Sequence, residues 1–187
     1  GTRSRLDGAA MSLIEIRDAE ATPDIATVYA ALRATMGVPQ VNLIWRHAAA
    51  LPGVLDWLWA QARPALDSGA AAGARDRIAA AVRVPALAHS TAPEGVAALV
   101  ETYNRGNLTN LAVLTAVRMR AEGVAQGTPR ASAPVGPALP APPPLPRLDS
   151  LPPAEAATVR ALAAAHGLSD PAVVPSLYLH LAHWPEV

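Results

Sequence analysis

Two histidines near the carboxyl end of the chain could bind a metal ion or carry a proton. His180 and His183 lie three residues apart in the stretch LYLHLAHW, a spacing that places two ligands on one side of a helix. The sequence has no HExxH pattern and no cluster of carboxylates to complete such a site. It also lacks the nucleophile motif G-x-S-x-G and the phosphate-binding motif G-x-G-x-x-G. We therefore predict neither a metal site nor a cofactor.

The missing residue types exclude further kinds of chemistry. The chain has no cysteine, so disulfides, thiol nucleophiles and thiolate metal sites are excluded. All 15 basic residues are arginine, and without lysine the chain cannot use a Schiff base or a P-loop. The 15 acidic residues balance this charge, so nothing indicates binding to nucleic acid or to an anionic membrane. No apolar run is long enough for a membrane span and no signal peptide is recognisable, so we predict a cytoplasmic protein.

The elements that position the remaining side chains are all predicted to be helices. Residues 22–24, Thr-Pro-Asp, form a typical helix start, and Gly37 marks the end of that helix. The sequence Asn-Arg-Gly-Asn at 104–107 predicts a turn between two later helices. No window shows the two-residue alternation of a strand, so we predict an all-α fold. Apolar residues follow helical spacing in 25–36, 41–50, 51–66, 70–84, 94–103 and 108–123.

Residues 124–153 differ in character from the rest of the chain. Ten of these thirty residues are proline, including the stretch APPPLP at 141–146. Because proline lacks a backbone donor and fixes φ, the segment is predicted to run extended over the surface as a linker. A ligand for a proline-binding module is the alternative interpretation.

The end of the chain repeats part of its beginning. The stretch VPSLYLHLAH at 174–183 follows the pattern of VPQVNLIWRH at 38–47, with an offset of 136 residues. The stretch ATVRALAAAHG at 157–167 follows ATVYAALRATMG at 26–37, with an offset of 131. Two matches at nearly one spacing predict a duplicated multi-helix unit of about 130 residues, and hence a helical pseudo-dimer.

This repeat predicts a division of the chain into four parts. Residues 1–10 precede a more natural start at Met11 and are expected to be a tag or a read-through. The second copy is incomplete, with room for two helices, so we expect either a fragment of a longer protein or a decayed second half. Its apolar residues must then pack on the first unit or on another chain, which makes a homodimer one of the expected arrangements. The four parts are an N-terminal extension at 1–21, a first helical repeat at 22–123, a Pro-rich linker at 124–151 and the start of a second repeat at 152–187.

Two stretches of the chain carry a resemblance to a known family. They are VPQVNLIWRHAAALPGVLDWLW at 38–59 and ETYNRGNLTNLAVLTAVR at 101–118. Together they resemble the group I 2-haloacid dehalogenases, over residues 22–123 and part of 152–187. The resemblance implies an all-helical fold of two homologous halves joined by a surface linker. It also implies hydrolysis of the carbon–halogen bond of a 2-haloalkanoic acid by direct attack of a water, with no covalent intermediate and with both enantiomers accepted.

The resemblance assigns binding and orienting roles to several residues. Asn104 matches the amide that orients the attacking water, although a helix C-cap would explain the same residue. Asn42 is the second candidate amide. Arg46 is expected to pair with the substrate carboxylate, or else to form a surface salt bridge. An apolar wall that dries the site is expected from Trp45, Trp57, Trp59 and Tyr103.

The catalytic base is the part of the family pattern that this chain does not match. The resemblance places an Asp in the second half, where this sequence has Trp184. Asp170 lies nearby, at a helix start where an N-cap role would explain it. Asp56 follows the first motif, where it would otherwise be an exposed helix residue. We therefore expect this 187-residue chain to be inactive in the hydrolysis.

Two other interpretations stay open at the sequence level. One is a non-catalytic helical domain that binds a small carboxylate or a partner and has kept the fold without the base. The other is a relative of the helical hydroperoxidases and carboxymuconolactone decarboxylases, whose redox members need paired cysteines that this chain lacks. A small molecule is the expected ligand in the enzyme and in the small-carboxylate version of the binding domain.

Overall fold

The computed structural model describes residues 14–82, 92–124, 132–167 and 173–186. Within these ranges the regular structure is helical throughout and contains no strand, which confirms the all-α prediction. None of the helices in the described ranges combines the length and the apolar character needed to cross a membrane. The α-helices are α1 (Pro23–Met36), α2 (Leu43–Ala49), α3 (Val54–Asp67), α4 (Ala70–Ala81), α5 (Glu94–Ala121), α6 (Pro153–Ala165) and α7 (Ser176–Leu181), with single 3-10 turns at Asp18–Glu20 and Leu148–Ser150.

The helix boundaries follow local chemistry. Helix α1 begins with Pro23, whose missing N–H is not needed in the first turn, and ends at Gly37 in the left-handed conformation. Helix α2 begins two residues later than predicted because the Asn42 side chain accepts a hydrogen bond from the Ile44 N–H. Helix α3 begins three residues later than predicted, because Gly53 adopts a φ of 72° that interrupts the helix.

The core lies among the first five helices. Helix α5 packs against α4, α3 and α1, and α3 also packs against α1, α2 and α4. Trp45, Tyr29 and Leu32 are the largest fully buried side chains, and the Tyr29 hydroxyl donates to the Ile16 carbonyl at 2.8 Å. The buried apolar set is completed mainly by Met36, Val38, Val41, Leu55, Leu58, Ala62, Leu66, Val113 and Val117.

Helix α5 overturns the predicted turn at 104–107. It runs unbroken from Glu94 to Ala121, through all four of these residues. The guanidinium of Arg105, which is 7% exposed, bonds Glu101 one turn earlier and the Gly37 carbonyl at 3.1 Å. Asn and Gly disfavour a helix by no more than about 1 kcal/mol per residue relative to Ala, so contacts of this kind outweigh their preference for a turn. The interpretation of Asn104 as a helix C-cap is therefore also wrong.

In the proline-rich segment, residues 132–147 contain no helix or strand, and a single 3-10 turn follows at Leu148–Ser150. The segment's first contact is made by the Ala133 N–H, which donates to the Gly69 carbonyl at 3.2 Å. Arg105 then donates to the Pro137 carbonyl at 2.6 Å. We call residues 142–145 the proline strap, because they pass over one side of a pocket described below.

Helices α6 and α7 follow this segment and pack against each other, and α7 also packs against α5. Trp184, just after α7, lies directly on the first turn of α5. A Cβ built at Gly95 would come within 2.7 Å of the Trp184 ring, so Gly95 is needed for this close approach. The chain beyond the linker is thus docked on the first five helices.

Candidate functional site

A pocket of about 330 Å³ lies between α2, α5, α7 and the proline strap. Its size is at the small end of ligand pockets, which suits a molecule of a few heavy atoms. Its lining includes the apolar residues Leu32, Met36, Val38, Val41, Leu43 and Trp45. It also includes the polar residues Gln40, Asn42, Arg46, Thr102, Tyr103, Asn107, Ser176 and His180.

Tyr103 and His180 form the central polar contact of the pocket. The Tyr103 hydroxyl lies 2.8 Å from Nδ1 of His180, and the two rings meet edge to face with centroids 5.8 Å apart. His180 is 3% exposed and lies in the pocket lining with Pro143 of the proline strap. Neutral histidine has one N–H and one acceptor nitrogen. We assign the N–H to Nε2, so that Nδ1 accepts from the Tyr103 hydroxyl.

Both groups are held in their neutral forms. Burial lowers the pKa of His180, and the charge of His183 lowers it further, while the backbone of Pro143 raises it. Burial raises the pKa of Tyr103, and this effect outweighs the hydrogen bonds from Ser176 and Gln40 and the nearby charge of Arg46. Near neutral pH the pair is therefore a phenol donating to an uncharged imidazole.

The side-chain amide of Asn42 bonds both the start of α2 and a second amide on α5. Asn42 donates from Nδ2 to Oδ1 of Asn107 at 3.1 Å, while its own Oδ1 caps α2. This contact joins α2 to α5. A second contact between the same helices is made by the Trp45 indole N–H, which donates to Asn110 at 2.8 Å. Asn42 therefore has both a capping role and a place in the pocket.

Arg46 supplies the positive charge of the pocket. Its Nε lies 2.9 Å from Oε2 of Glu15, so the predicted salt bridge is present. Glu15 also pairs with Arg17 at 3.1 Å. The Ile16 N–H donates to the Arg46 carbonyl, which fixes the segment that carries Glu15. Arg46 thus lines the pocket with a charge that is shared with one carboxylate.

Four of the predicted site residues come together at this pocket, namely Asn42, Trp45, Arg46 and Tyr103. The remaining described candidates do not line it. Asn104 and Asp56 are exposed on α5 and α3, and Trp57 is 51% exposed. Since α5 is continuous, Asn104 is turned about 100° around the helix from Tyr103. Asp170 lies outside the described residues.

Several pocket residues were not predicted from the sequence. Asn107 shares a face of α5 with Tyr103, a spacing of four residues that would have indicated it if the helix had been predicted as continuous. His180 was considered only as a metal ligand. The sequence did not indicate that Ser176 or the proline strap would line the pocket, because their positions depend on how the linker packs on the first five helices.

The pocket has an acid-poor lining. No Asp or Glu is among the described residues that line it. Nor do three His, Asp or Glu side chains come together as a metal-binding group anywhere in the described ranges.

Comparisons of the chain with protein-family models, with curated proteins and with solved structures found no match.

Proposed function

We propose that the pocket binds a short carboxylic acid with an apolar substituent, such as a 2-haloalkanoic acid. The observation that carries this proposal is the pairing of a cation and neutral donors with an apolar wall in one small cavity. Arg46 and Asn42 are among its polar lining residues and Trp45 is among its apolar ones. A carboxylate is recognised by such a guanidinium and by hydroxyl or amide donors, while a halogen or methyl group favours the apolar wall.

Binding without turnover is the form of the function that the geometry favours for this chain. Direct hydrolysis requires a base within hydrogen-bond reach of a water beside the substrate carbon. The candidate base Asp56 and the assisting amide Asn104 are both exposed and outside the pocket lining, and the other candidate base, Asp170, lies outside the described residues. The proposal is therefore a cytoplasmic, cofactor-independent small-carboxylate-binding protein that resembles the dehalogenases.

The proposal includes the duplication of the helical unit. Helices α1 and α6 both begin with proline and are followed by a glycine of positive φ, Gly37 and Gly167. The histidines of the repeated motif each bond a backbone carbonyl, His47 that of Ile14 through Nδ1 and His183 that of Pro144 through Nε2. Helices α2 and α7, which are the repeated elements, both contribute to the pocket. The ligand would then lie where the two copies meet.

Calorimetric titration with each enantiomer of 2-chloropropionate tests the proposal. We expect saturable binding of one ligand per chain, and we expect Arg46→Gln to weaken it at least about tenfold, the effect of about 1.4 kcal/mol. Arg118→Gln is the matched control, since Arg118 also pairs with a glutamate but is 77% exposed on the last turn of α5. Absence of binding, or equal weakening by both variants, would contradict the proposal.

Chloride release from the same ligand is measured in parallel. We expect none above the rate in buffer. Chloride release above that rate would show that the pocket is catalytic and does not only bind. The base would then be sought by Asp→Asn substitution of Asp56 or Asp170.

A further inference from the structure

The Tyr103 hydroxyl has one proton, and with Nδ1 of His180 as the acceptor it donates that proton to His180. The two atoms lie 2.8 Å apart, and Ser176 and Gln40 line the pocket with Tyr103. A hydroxyl has a single donor, so Tyr103 cannot bond an anionic ligand while it donates to His180. The central polar group of the pocket is thus occupied within the protein.

The groups around Tyr103 and His180 provide little positive charge to balance that of an anionic ligand. Arg46 on α2 is the cation that acts on Tyr103, and it is paired with Glu15. His183, three residues along the chain, is the titratable group that acts on His180. From α6, His166 approaches α7 but bonds Tyr178 at 3.0 Å. A second positive charge beside the ligand would therefore have to arise on a histidine.

We propose that His180 takes up one proton when an anionic ligand enters the pocket, and that this proton uptake turns the Tyr103 hydroxyl toward the ligand. The inference rests on the proposed carboxylate-binding function. It makes Tyr103 a donor that is available only to a ligand carrying negative charge, and so a residue that distinguishes a carboxylate from a neutral analogue of the same shape.

The rearrangement needs one proton from solvent and breaks no covalent bond. The proton adds to Nδ1 of His180, which becomes a donor and points at the Tyr103 oxygen. The Tyr103 O–H, no longer accepted by Nδ1, rotates to the ligand. The other ring nitrogen of His180 keeps its proton throughout, so the exchange requires no movement of the proline strap.

The direction of the pH effect follows from the two states of the pocket. In the free pocket, burial lowers the pKa of His180. A bound carboxylate raises it, because an adjacent opposite charge favours the protonated imidazole. Between the two pKa values, affinity rises as pH falls, by up to about tenfold per pH unit for one proton. Below the pKa of the free pocket the affinity levels off, since His180 is already charged.

Isobutyrate is the probe that tests this inference, because it has the shape of 2-chloropropionate and cannot release a halide. Its binding enthalpy is measured at about pH 7.5 in buffers of different ionisation enthalpy, and the slope gives the number of protons taken up. We expect a measurable uptake, which approaches one proton between the two pKa values of His180 and disappears below that of the free pocket. The neutral analogue isobutyramide is expected to bind more weakly and without uptake.

Two variants and a control complete the test. His180→Gln, which keeps one donor and one acceptor, is expected to abolish proton uptake, and Tyr103→Phe to remove most of the affinity gained at lower pH. Tyr178→Phe is the control, because Tyr178 and His166 form a second pair of the same kind on the exposed side of α7. Its proton uptake is expected to equal that of the unchanged protein.

The outcomes separate this inference from the function on which it rests. Binding of isobutyrate without proton uptake, or with uptake that persists in His180→Gln, overturns the inference and leaves carboxylate binding standing. No binding of isobutyrate or 2-chloropropionate overturns both. Titration of the His180 ring by NMR, with and without isobutyrate, provides the same answer in the unsubstituted protein, so a variant that fails to fold does not prevent the test.

Discussion

The Tyr103 hydroxyl lies 2.8 Å from Nδ1 of His180 and joins α5 to α7 across 77 residues of sequence. The same histidine lines the pocket together with Pro143, so one buried side chain lies where three separate parts of the chain meet. Pocket, linker and terminal helix are therefore not independent features. A change at this contact is expected to affect binding and stability together.

Tyr103→Phe is expected to lower the free energy of unfolding by about 1 kcal/mol, the usual loss for one hydrogen bond inside a protein. Tyr178→Phe removes a similar bond at an exposed position and is expected to cost less than about 0.5 kcal/mol, because water replaces the lost partner. Urea unfolding of the two variants compares them directly. Equal losses would show that the Tyr103 contact is no more protected from water than the Tyr178 contact.

Stability is expected to fall as the pH is lowered below neutrality, in part through His180. Burial lowers its pKa in the folded chain, so the unfolded chain, with an ordinary pKa of about 6.5, binds the proton first. The contribution is complete above that ordinary value and is lost as pH falls through the folded-state pKa, at up to about 1.4 kcal/mol per pH unit. Urea midpoints measured across this range should decline more steeply for the unchanged chain than for His180→Gln. A decline of the same steepness in both would assign the effect to other groups.

Two glycines of similar conformation allow the cost of backbone strain to be measured separately from the cost of a clash with the linker. Gly37 has a φ of 64°, and a Cβ there would lie 2.8 Å from Val135 and 3.0 Å from Arg105. Gly53 has a φ of 72° and nothing within 4 Å of an added Cβ. Alanine at either position costs about 1–2 kcal/mol from the left-handed backbone. Gly37→Ala is expected to cost at least about 1 kcal/mol more, because it also forces the linker away.

The same pair of variants can be compared by proteolysis. Cleavage between residues 132 and 147 should become faster in Gly37→Ala and stay unchanged in Gly53→Ala. Unchanged cleavage in both would mean that the linker is not held at Gly37 in solution.

Arg105 is expected to be the main anchor of the linker. It is 7% exposed and donates to the Pro137 and Gly37 carbonyls. Arg105→Met leaves both carbonyls without this donor, and hydrogen bonds to a charged group contribute about 1.5–3 kcal/mol each. We expect a loss of about 2–4 kcal/mol in thermal or urea unfolding, against less than about 0.5 kcal/mol for Arg118→Met on the exposed end of α5. A loss below 1 kcal/mol for Arg105→Met would contradict this anchoring role.

The sequence predicted most of the helices and part of the pocket for one physical reason, which is that apolar spacing and cap residues act locally. Asn42, Trp45 and Arg46 are neighbours on one short helix, so predicting that helix also predicts their proximity. Tyr103 lies at the pocket because its helix packs an apolar face on the core. Local patterns of this kind are readable without knowledge of the tertiary structure.

The rest depends on contacts between distant segments. The unbroken course of α5 is supported by Arg105, whose carbonyl partners lie 68 and 32 residues away. The return of the linker brings Pro143 to His180, and no local pattern encodes that approach. Asn104 was favoured because the resemblance matched it to the amide that orients the attacking water. Once the helix continues, Asn107 faces the pocket and Asn104 faces solvent.

The location of a bound 2-haloacid tests the central claim most directly. In a crystal of the full chain soaked with 2-bromopropionate, the bromine is located by its anomalous scattering. We expect a single strong peak in the pocket against the apolar wall of Leu32, Met36 and Trp45, with the carboxylate within hydrogen-bond distance of Arg46 or Tyr103. A pocket without bromine at saturating concentration, or a bromine site elsewhere on the chain, would contradict the account.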